Sequence, residues 1–485
     1  MDFRAKRLTA THLIAGLFIL TLFIFTFISF ARHYLLQSGI YDLGLFNQWA
    51  YLVSVGQEWE PSSLTNFFKP ALGDHFSLLL YPLAWLQTIF PSSYSLIFWQ
   101  SLGLSFLLLI LNLQLPWQPG RQRNISLLIA TIFICNPYIL NSALNDFHPE
   151  VAASFLGLCS LTLARRGKTF FSLITLTLFL ASKEAMIVFG IGFAIYTFSI
   201  KKRLLAAASL VLSVSYFLLA NYFVSPYLNY ANARYGQFGS SFLDLVTSPI
   251  TKPVVFFSTL LSTETLIYVV PLLLPLALIL NRSAIPAVLA SLPVFIANAL
   301  SSSNVMRDPI YQYQIPIVIF LLQATIDSVN ADKAYNHILK RKYRIFMFAI
   351  AATLTTLFTV QVPAFFTRYF RLSDYSAELL VAELRLASPD LKIWAHPAIA
   401  SHFSRRKVLL TSTSDLKEDI FDYILFPASS PPRKPQRNLI KLRNLIFGYG
   451  EAYEFAESPS IKDKAESLGY TCGNSREARI LICEN

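Results

Sequence analysis

HFSLLLYPLAWLQTIF, residues 75–90, is an apolar run with Pro82 inside it and Pro91 directly behind it. A helix needs about 20 apolar residues to cross the hydrocarbon core of a bilayer. This run is short for a crossing, and its reading decides the topology of everything downstream. If it crossed, every later basic loop as far as Lys340–Arg344 would change sides. Lying flat, it leaves those loops together, so the run is expected to be an interfacial or re-entrant helix.

Working outward from it, spans are expected at 12–31, 93–114, 125–143, 150–164, 169–182, 184–199, 203–223, 263–280, 284–302, 310–328 and 345–366. The basic clusters Arg121/Arg123, Arg165/Arg166/Lys168, Lys201/Lys202/Arg203, Arg282 and Lys340/Arg341/Lys342/Arg344 then fall on the side of Arg4, Lys6 and Arg7. The positive-inside rule makes that side, and the N-terminus, cytoplasmic. The first apolar run is long for a cleaved signal and reads as a signal anchor. The spans at 150–164 and 169–182 are shorter than a full crossing.

The chain of 485 residues is 54% hydrophobic and only 14% charged, the composition of a polytopic membrane protein. Its net charge of +12 sits largely in short loops, where it sets orientation. The lipid bilayer is therefore the expected partner, and nucleic acid is not. From Thr367 onward the composition becomes more charged. LKIWAH, RKVLLT, DYILF and RILICEN read as strands, PAIASHF and RNLIKLRNLIF as helices, and SSPPRKPQ as a loop. The expected fold class is thus mainly α: a polytopic helical bundle of about 11 spans over residues 1–366, with a long first outer loop at 32–92. A small extracytoplasmic α/β domain with a partly parallel sheet follows at 367–485. Cys135 and Cys159 lie in apolar spans as packing residues, whereas Cys472 and Cys483 flank a terminal hairpin and could pair outside the cytoplasm. There is no CxxC, HExxH, GxGxxG or P-loop motif.

This topology gathers Asp42, His75, Asp146, His148, Glu150, Lys183 and Glu184 at the outer face from four separate stretches. Ionisable groups converging at the mouth of a bundle point to a reaction or binding site. Each also has a plainer reading. Asp42, after Tyr41 in GIYDLGLFNQWAYLVSVGQ, is either a general base or metal ligand, or the cap of a surface helix. His75 could meet a phosphate oxygen or orient a base, or sit solvated beside a capping Asp74. In Asp146-Phe-His148-Pro-Glu150 the alternatives are an acid/base or divalent-metal pair, or an aspartate cap, an N1 proline and a dipole-favoured glutamate. Lys183 could bind phosphate as a point charge, or neutralise Glu184 while Ser182 caps the next helix. Arg234 and Arg307 are further phosphate candidates. The tyrosines 222, 227, 230, 235, 311 and 313 read as an interfacial belt.

YDLGLFNQ, DHFSLLLYPLA, NDFHPE and SKEA together resemble a bacterial family of multi-pass membrane proteins designated as a domain of unknown function. An acidic residue in a long first outer loop, the histidine opening residues 75–111, and the lysine turn in FFSLITLTLFLASKEAMIVFGIGFAIYTF are similar to the GT-C superfamily of membrane glycosyltransferases. One departure is that Phe76-Ser77 follow the histidine where GT-C relatives commonly carry prolines. The resemblance implies transfer of a sugar from a polyprenyl-phosphate donor at the outer face of the bacterial inner membrane. It makes Asp42 the base, has His75 and Lys183 hold the donor phosphate, and leaves Asp146 or Glu150 as a second carboxylate. Tyr41, His148, Glu184 and Arg234 complete the expected substrate-binding set. The resemblance assigns no cofactor, because some GT-C enzymes use a divalent metal and others do not. The rival readings are a transporter or flippase, which would place polar groups and broken helices near the midplane, and a non-catalytic envelope assembly protein.

Overall fold

A computed structural model describes residues 2–331, 376–427 and 458–485, except 37, 65–68, 228–233, 274–275, 277–278, 309, 398, 417–419 and 474–479. The expected span 345–366, the basic cluster Lys340–Arg344, Tyr230 and the segments SSPPRKPQ and RNLIKLRNLIF lie outside the described residues.

The membrane part is a helical bundle. Helix α1 runs Asp2–Tyr34 and α5 Ser93–Gln114. Helices α6 (Arg121–Ile134) and α7 (Pro137–Leu144) form one bent unit of 45°. Asn136 caps α7 and Pro137 opens it, which is why a single apolar stretch bends there. Then follow α8 (Pro149–Ala152), α9 (Ser154–Arg165), α10 (Thr169–Leu180), α11 (Ile187–Ser199) and α12 (Arg203–Val224). The last group is α13 (Phe242–Thr251), α14 (Pro253–Leu260), α15 (Thr263–Leu273), α16 (Ile285–Leu300) and α17 (Ile315–Ala331). By length and composition, 5 described helices can cross a membrane, or up to 7 if each bent pair is one span. The short helices α9 and α10, 12 residues each, pack together instead of each forming a long rod.

One stretch differs from expectation. Residues 224–262, read as an outer loop, contain α13 and α14, which with the start of α15 make a 100° corner. The helices here have local causes: Pro253 occupies the first turn of α14, and Ser241 and Asp244 form a reciprocal capping box on α13. The run 75–90, by contrast, gives only the ten-residue α4 (Leu80–Ile89), too short to cross and with Tyr81, Trp85 and Ile89 exposed.

The bundle has two chemically distinct ends. At one end lie the basic turns: Gly167 is packed beside the Lys202 ammonium, Arg166 donates to Gln114, and Arg165 pairs with the buried Asp327 at 3.5 Å. The opposite end holds the C-terminus of α1, the N-terminus of α5, and the turns α7–α8 and α10–α11. Between the ends, apolar residues such as Phe23, Phe27, Phe170, Val211 and Leu218 are exposed on the helices' outer faces, where lipid would cover them.

On that second end sits the first loop, with α2 (Leu45–Ser54) and α3 (Ala71–Asp74), and against it the C-terminal sheet. The strands β1 (Ile393–Ala395), β2 (Leu409–Leu410), β3 (Tyr423–Pro427), β4 (Thr471–Cys472) and β5 (Ile480–Glu484) are ordered β2-β1-β3-β5-β4. β1 is parallel to β2 and β3, while β5 is antiparallel to β3 and β4. All four strand readings of the tail are met, and PAIASHF gives only a 3₁₀ turn at Ala400–Phe403. Cys472 and Cys483 are cross-strand neighbours and are disulfide-bonded, whereas Cys135 and Cys159 are free. The sheet shares one apolar core with the first loop, in which Leu43, Phe46 and Trp49 meet Ile393, Phe403 and Leu425. Asn47 donates to Ser404, and Gln48 to the Arg406 carbonyl at 3.0 Å, so the two parts are also joined by buried polar contacts.

Candidate active site

The first loop enters the site through a single π-type turn, Ile40–Gly44, which α2 continues. Gly39 occupies the cap position without a side-chain cap, so Asp42 is inside the turn and is not capping it. Its side chain is 45% exposed, and its Oδ1 lies 3.5 Å from His148 Nε2. His148 is buried with its Nδ1 2.8 Å from the Asp146 carbonyl. A carbonyl can only accept, so Nδ1 carries the proton and a neutral His148 would point its Nε2 lone pair at the Asp42 carboxylate. Protonation removes that conflict. Although burial opposes charge on His148, the hydrogen bond and charge of Asp42, with Glu150 behind, raise its pKa above the ordinary histidine value. Burial alone would raise Asp42, yet His148, Arg32 and Lys183 hold its carboxyl below the usual range.

Asp146 is buried and does not cap α8. Its Oδ1 accepts from Arg32 Nη1 at 2.5 Å and its Oδ2 from the Gly39 N–H at 2.6 Å. A methyl placed on Gly39 would sit 3.1 Å from Asp146 Oδ2 and 3.7 Å from Asp42 Oδ2, so both carboxylates flank this glycine and a side chain there would press on Asp146. Burial, then the neighbouring Asp42, raises Asp146, and Arg32 opposes the rise.

Lys183 and Glu184 do not neutralise each other. Lys183 Nζ pairs with Glu150 Oε1 at 3.4 Å, reaching across from the α10–α11 turn to α8. Glu184 turns the other way, with Oε1 3.1 Å from His75 Nδ1 and Oε2 accepting from the Phe76 N–H at 3.0 Å. Ser182, expected as a cap, donates back to the Phe179 carbonyl. Burial opposes the Lys183 charge, but Glu150 and Glu184 outweigh it and raise the ammonium's pKa. Asp74 is engaged by Lys69 at 3.0 Å. Phe46 lies against both His75 and His148, and Trp49 and Phe147 close the apolar floor.

The structure therefore brings together Asp42, His75, Asp146, His148, Glu150, Lys183 and Glu184, as alternating acid–base pairs. Tyr41 is 60% exposed beside Asp42. Arg234 is set apart from the pairs: its guanidinium lies 6.0 Å over the Tyr313 ring, and Tyr313 in turn acts electrostatically on Lys183. Arg307 is buried and donates to the Ala299 and Ser301 carbonyls, which makes it a loop tie.

Two side chains that hold the site together escaped the sequence reading. Arg32, at the end of α1, looks like any interfacial anchor until Asp146 is seen against it. Gln100, in the first half of α5, donates to the carbonyls of Ser142, Asn145 and Asp146 and accepts from the His148 N–H at 2.7 Å. One amide side chain thus holds the whole α7–α8 turn. A polar residue inside an apolar helix was the available signal.

A family profile described as Predicted membrane protein (DUF2079) matches residues 32–456. A search of curated protein sequences finds no match. Among solved structures, ArnT from Cupriavidus metallidurans bound to undecaprenyl phosphate aligns over 98% of this chain and 97% of its own, with 10% identity and a TM-score of 0.52. The same protein in the apo state aligns over 98% of both chains, with 11% identity and a TM-score of 0.47. The archaeal oligosaccharyltransferase AglB from Archaeoglobus fulgidus, in complex with an inhibitory peptide and a dolichol-phosphate, covers 85% of this chain and 69% of its own, at 9% identity and a TM-score of 0.32. At such identities the first of these speaks for the fold: a GT-C-like helical bundle with a small C-terminal sheet domain, the class expected from the sequence. The chain is a member of the family Predicted membrane protein (DUF2079), and its architecture is GT-C-like.

Proposed function

We propose that the protein is an integral membrane glycosyltransferase that moves a sugar from a polyprenyl-phosphate donor to an acceptor hydroxyl at the extracytoplasmic face. The observation carrying this is the convergence of seven ionisable side chains, from four distant stretches, at the end of the bundle opposite the basic turns. The disulfide in the sheet that covers that end supports an outside location, since such bonds persist in oxidising compartments. The positive-inside rule then places the N-terminus in the cytoplasm. The fold likeness to an ArnT structure bound to undecaprenyl phosphate supports the donor class.

In this reading Asp42 is the base, because it is the carboxylate of the group that is open to the mouth. The acceptor oxygen attacks the anomeric carbon and the carbon–oxygen bond to the donor phosphate breaks. Polyprenyl phosphate leaves with that electron pair, and the hydroxyl proton passes to Asp42. Lys183 stabilises the charge growing on the leaving phosphate: one ammonium has three donors, and Glu150 occupies one of them. Arg32 and Gln100 are positioning residues that hold Asp146 and His148 in place. A donor with a lipid tail enters sideways between helices, so no nucleotide-binding loop is needed.

The test compares envelope glycans and polyprenyl-phosphate sugars in cells producing the protein or its Asp42→Asn variant at equal abundance. Loss of a glycan together with accumulation of a lipid-linked sugar is expected. Unchanged glycans and unchanged lipid pools would sink the transferase reading.

A further inference from the structure

A second group of titratable residues lies apart from the acid–base pairs. His33 is in the last turn of α1, Glu383 on a helix over residues 376–385, and His402 on the 3₁₀ turn before β2. Each can present one ligand atom, and these atoms lie within 4.8 Å of one another. We propose that His33, Glu383 and His402 form a binding site for a divalent transition metal of the zinc class, clasping the C-terminal sheet domain to the first membrane helix.

The chemistry of the donors points that way. His33 is fully buried and the His402 side chain is 3% exposed, yet His33 Nδ1 and His402 Nε2 have no hydrogen-bond partner among the described residues. A buried polar nitrogen without a partner is costly, and an ion bound to it removes the cost. The other nitrogen of each ring is engaged. Glu383 sits on His402 Nδ1, and the Ser93 hydroxyl is 2.9 Å from His33 Nε2. A carboxylate on one imidazole nitrogen fixes the tautomer and leaves a lone pair on the other, an arrangement common behind metal-bound histidines. With Glu383 behind His402, the direct ligands are His33 Nδ1 and His402 Nε2, imidazole donors that suit zinc, and water fills the remaining positions. The rings are stacked with centroids 3.9 Å apart and 8° between planes, so their lone pairs lie in parallel planes and the two rings must tilt toward each other to share an ion.

The site spans parts of the molecule that the chain joins only through distant connections. It also adjoins the reaction cluster in sequence, because Arg32, the partner of Asp146, directly precedes His33. A metal here would fix the helix turn carrying both residues. The inference does not depend on the sugar-transfer reading.

The experiment uses the full chain without an affinity tag, in lipid nanodiscs, stripped with chelator and then given Zn²⁺. Wild type is expected to bind about one zinc per chain and to melt at a higher temperature once loaded. His402→Gln should lose stoichiometric binding, and Glu383→Gln should weaken it by about 10–100-fold. Neither variant should show the melting shift. Wild type without bound zinc, or both variants retaining it as wild type does, would overturn the proposal. Should a variant fail to fold, Co²⁺ in the wild type decides: intense visible bands of four-coordinate cobalt support the site, and the faint spectrum of the hydrated ion refutes it.

Discussion

Replacing Lys183 by Met tests whether the mouth is built from balanced buried charge. Lys183 and Glu150 are 3.4 Å apart, with side chains only 10% and 4% exposed. At that distance, with an effective dielectric of about 20, their attraction is about 5 kcal/mol, much of it offset by the cost of dehydrating both groups. Removing the ammonium alone leaves a buried carboxylate whose Oε2 already lacks a hydrogen-bond partner among the described residues. The expected loss is about 3–5 kcal/mol. Glu150→Gln should cost less, because Glu184 still acts on Lys183. The double variant K183M/E150Q should recover to within about 1–2 kcal/mol of wild type, since no unpaired charge remains. Equilibrium unfolding in detergent, followed by tryptophan fluorescence, reads all four proteins. A Lys183→Met loss under about 1 kcal/mol, the range of exposed ion pairs, would refute the buried-pair argument. A double variant as unstable as Lys183→Met would refute it equally. Polyprenyl phosphate binding by the double variant then separates the two roles of the lysine. Restored stability with lost binding is expected, and wild-type binding would remove Lys183 from the donor site.

Gln100→Ala removes the side chain that ties the α7–α8 turn and strands the buried His148 N–H, so it should destabilise by about 1–3 kcal/mol in the same unfolding assay. Gly103→Ala should abolish the yield of detergent-stable protein, because the added carbon would collide with the Ala152 carbonyl oxygen, whereas Gly16→Ala, with nothing within 4 Å, should leave the yield unchanged. The pair of Asp42 and His148 sets a pH window. His148 is raised in the fold, so its stabilisation is full below its unfolded value of about 6.5 and is lost as pH rises through the folded value. Asp42 is depressed, so its stabilisation is present above about 3.9 and is lost as pH falls through the folded value. Stability of the wild type should therefore decline with alkaline pH more steeply than that of His148→Gln, and parallel curves would contradict the pairing.

Much of the bundle is legible from apolar length alone, as α5 and α12 show, each matching its expected span almost to the residue. The short run at 75–90 was decidable because a single wrong crossing would invert every basic turn after it. The tail strands were legible because β1 and β3 are short apolar runs bounded by polar or turn residues. What local sequence could not supply was pairing. Asp146, Ser182 and Asp42 all look like helix caps, and each is diverted by another partner: Arg32, the Phe179 carbonyl and His148. Lys183 and Glu184 look like a self-neutralising dipeptide, and the extended backbone at Lys183 sends the two side chains to different elements. Arg32 and Asp146 are 114 residues apart, so no window reading joins them. The α13–α14 corner was hidden because the stretch is rich in aromatics and carries Arg234, which reads as an interfacial loop, and because its two helices have only 10 and 8 residues.

The mouth contains four carboxylates, Asp42, Asp146, Glu150 and Glu184, facing Arg32, Lys183, His75 and His148. Arg32 and Lys183 are cationic near neutrality and His148 is biased toward its cation by Asp42, while Asp146 is the one carboxyl of the four held above its ordinary range. An anion arriving there adds negative charge beside Asp146 and His148, which pushes both further toward their protonated forms. Ligand entry thereby becomes a proton-uptake event. Its calorimetric heat should change with the ionisation enthalpy of the buffer, even when the affinity does not.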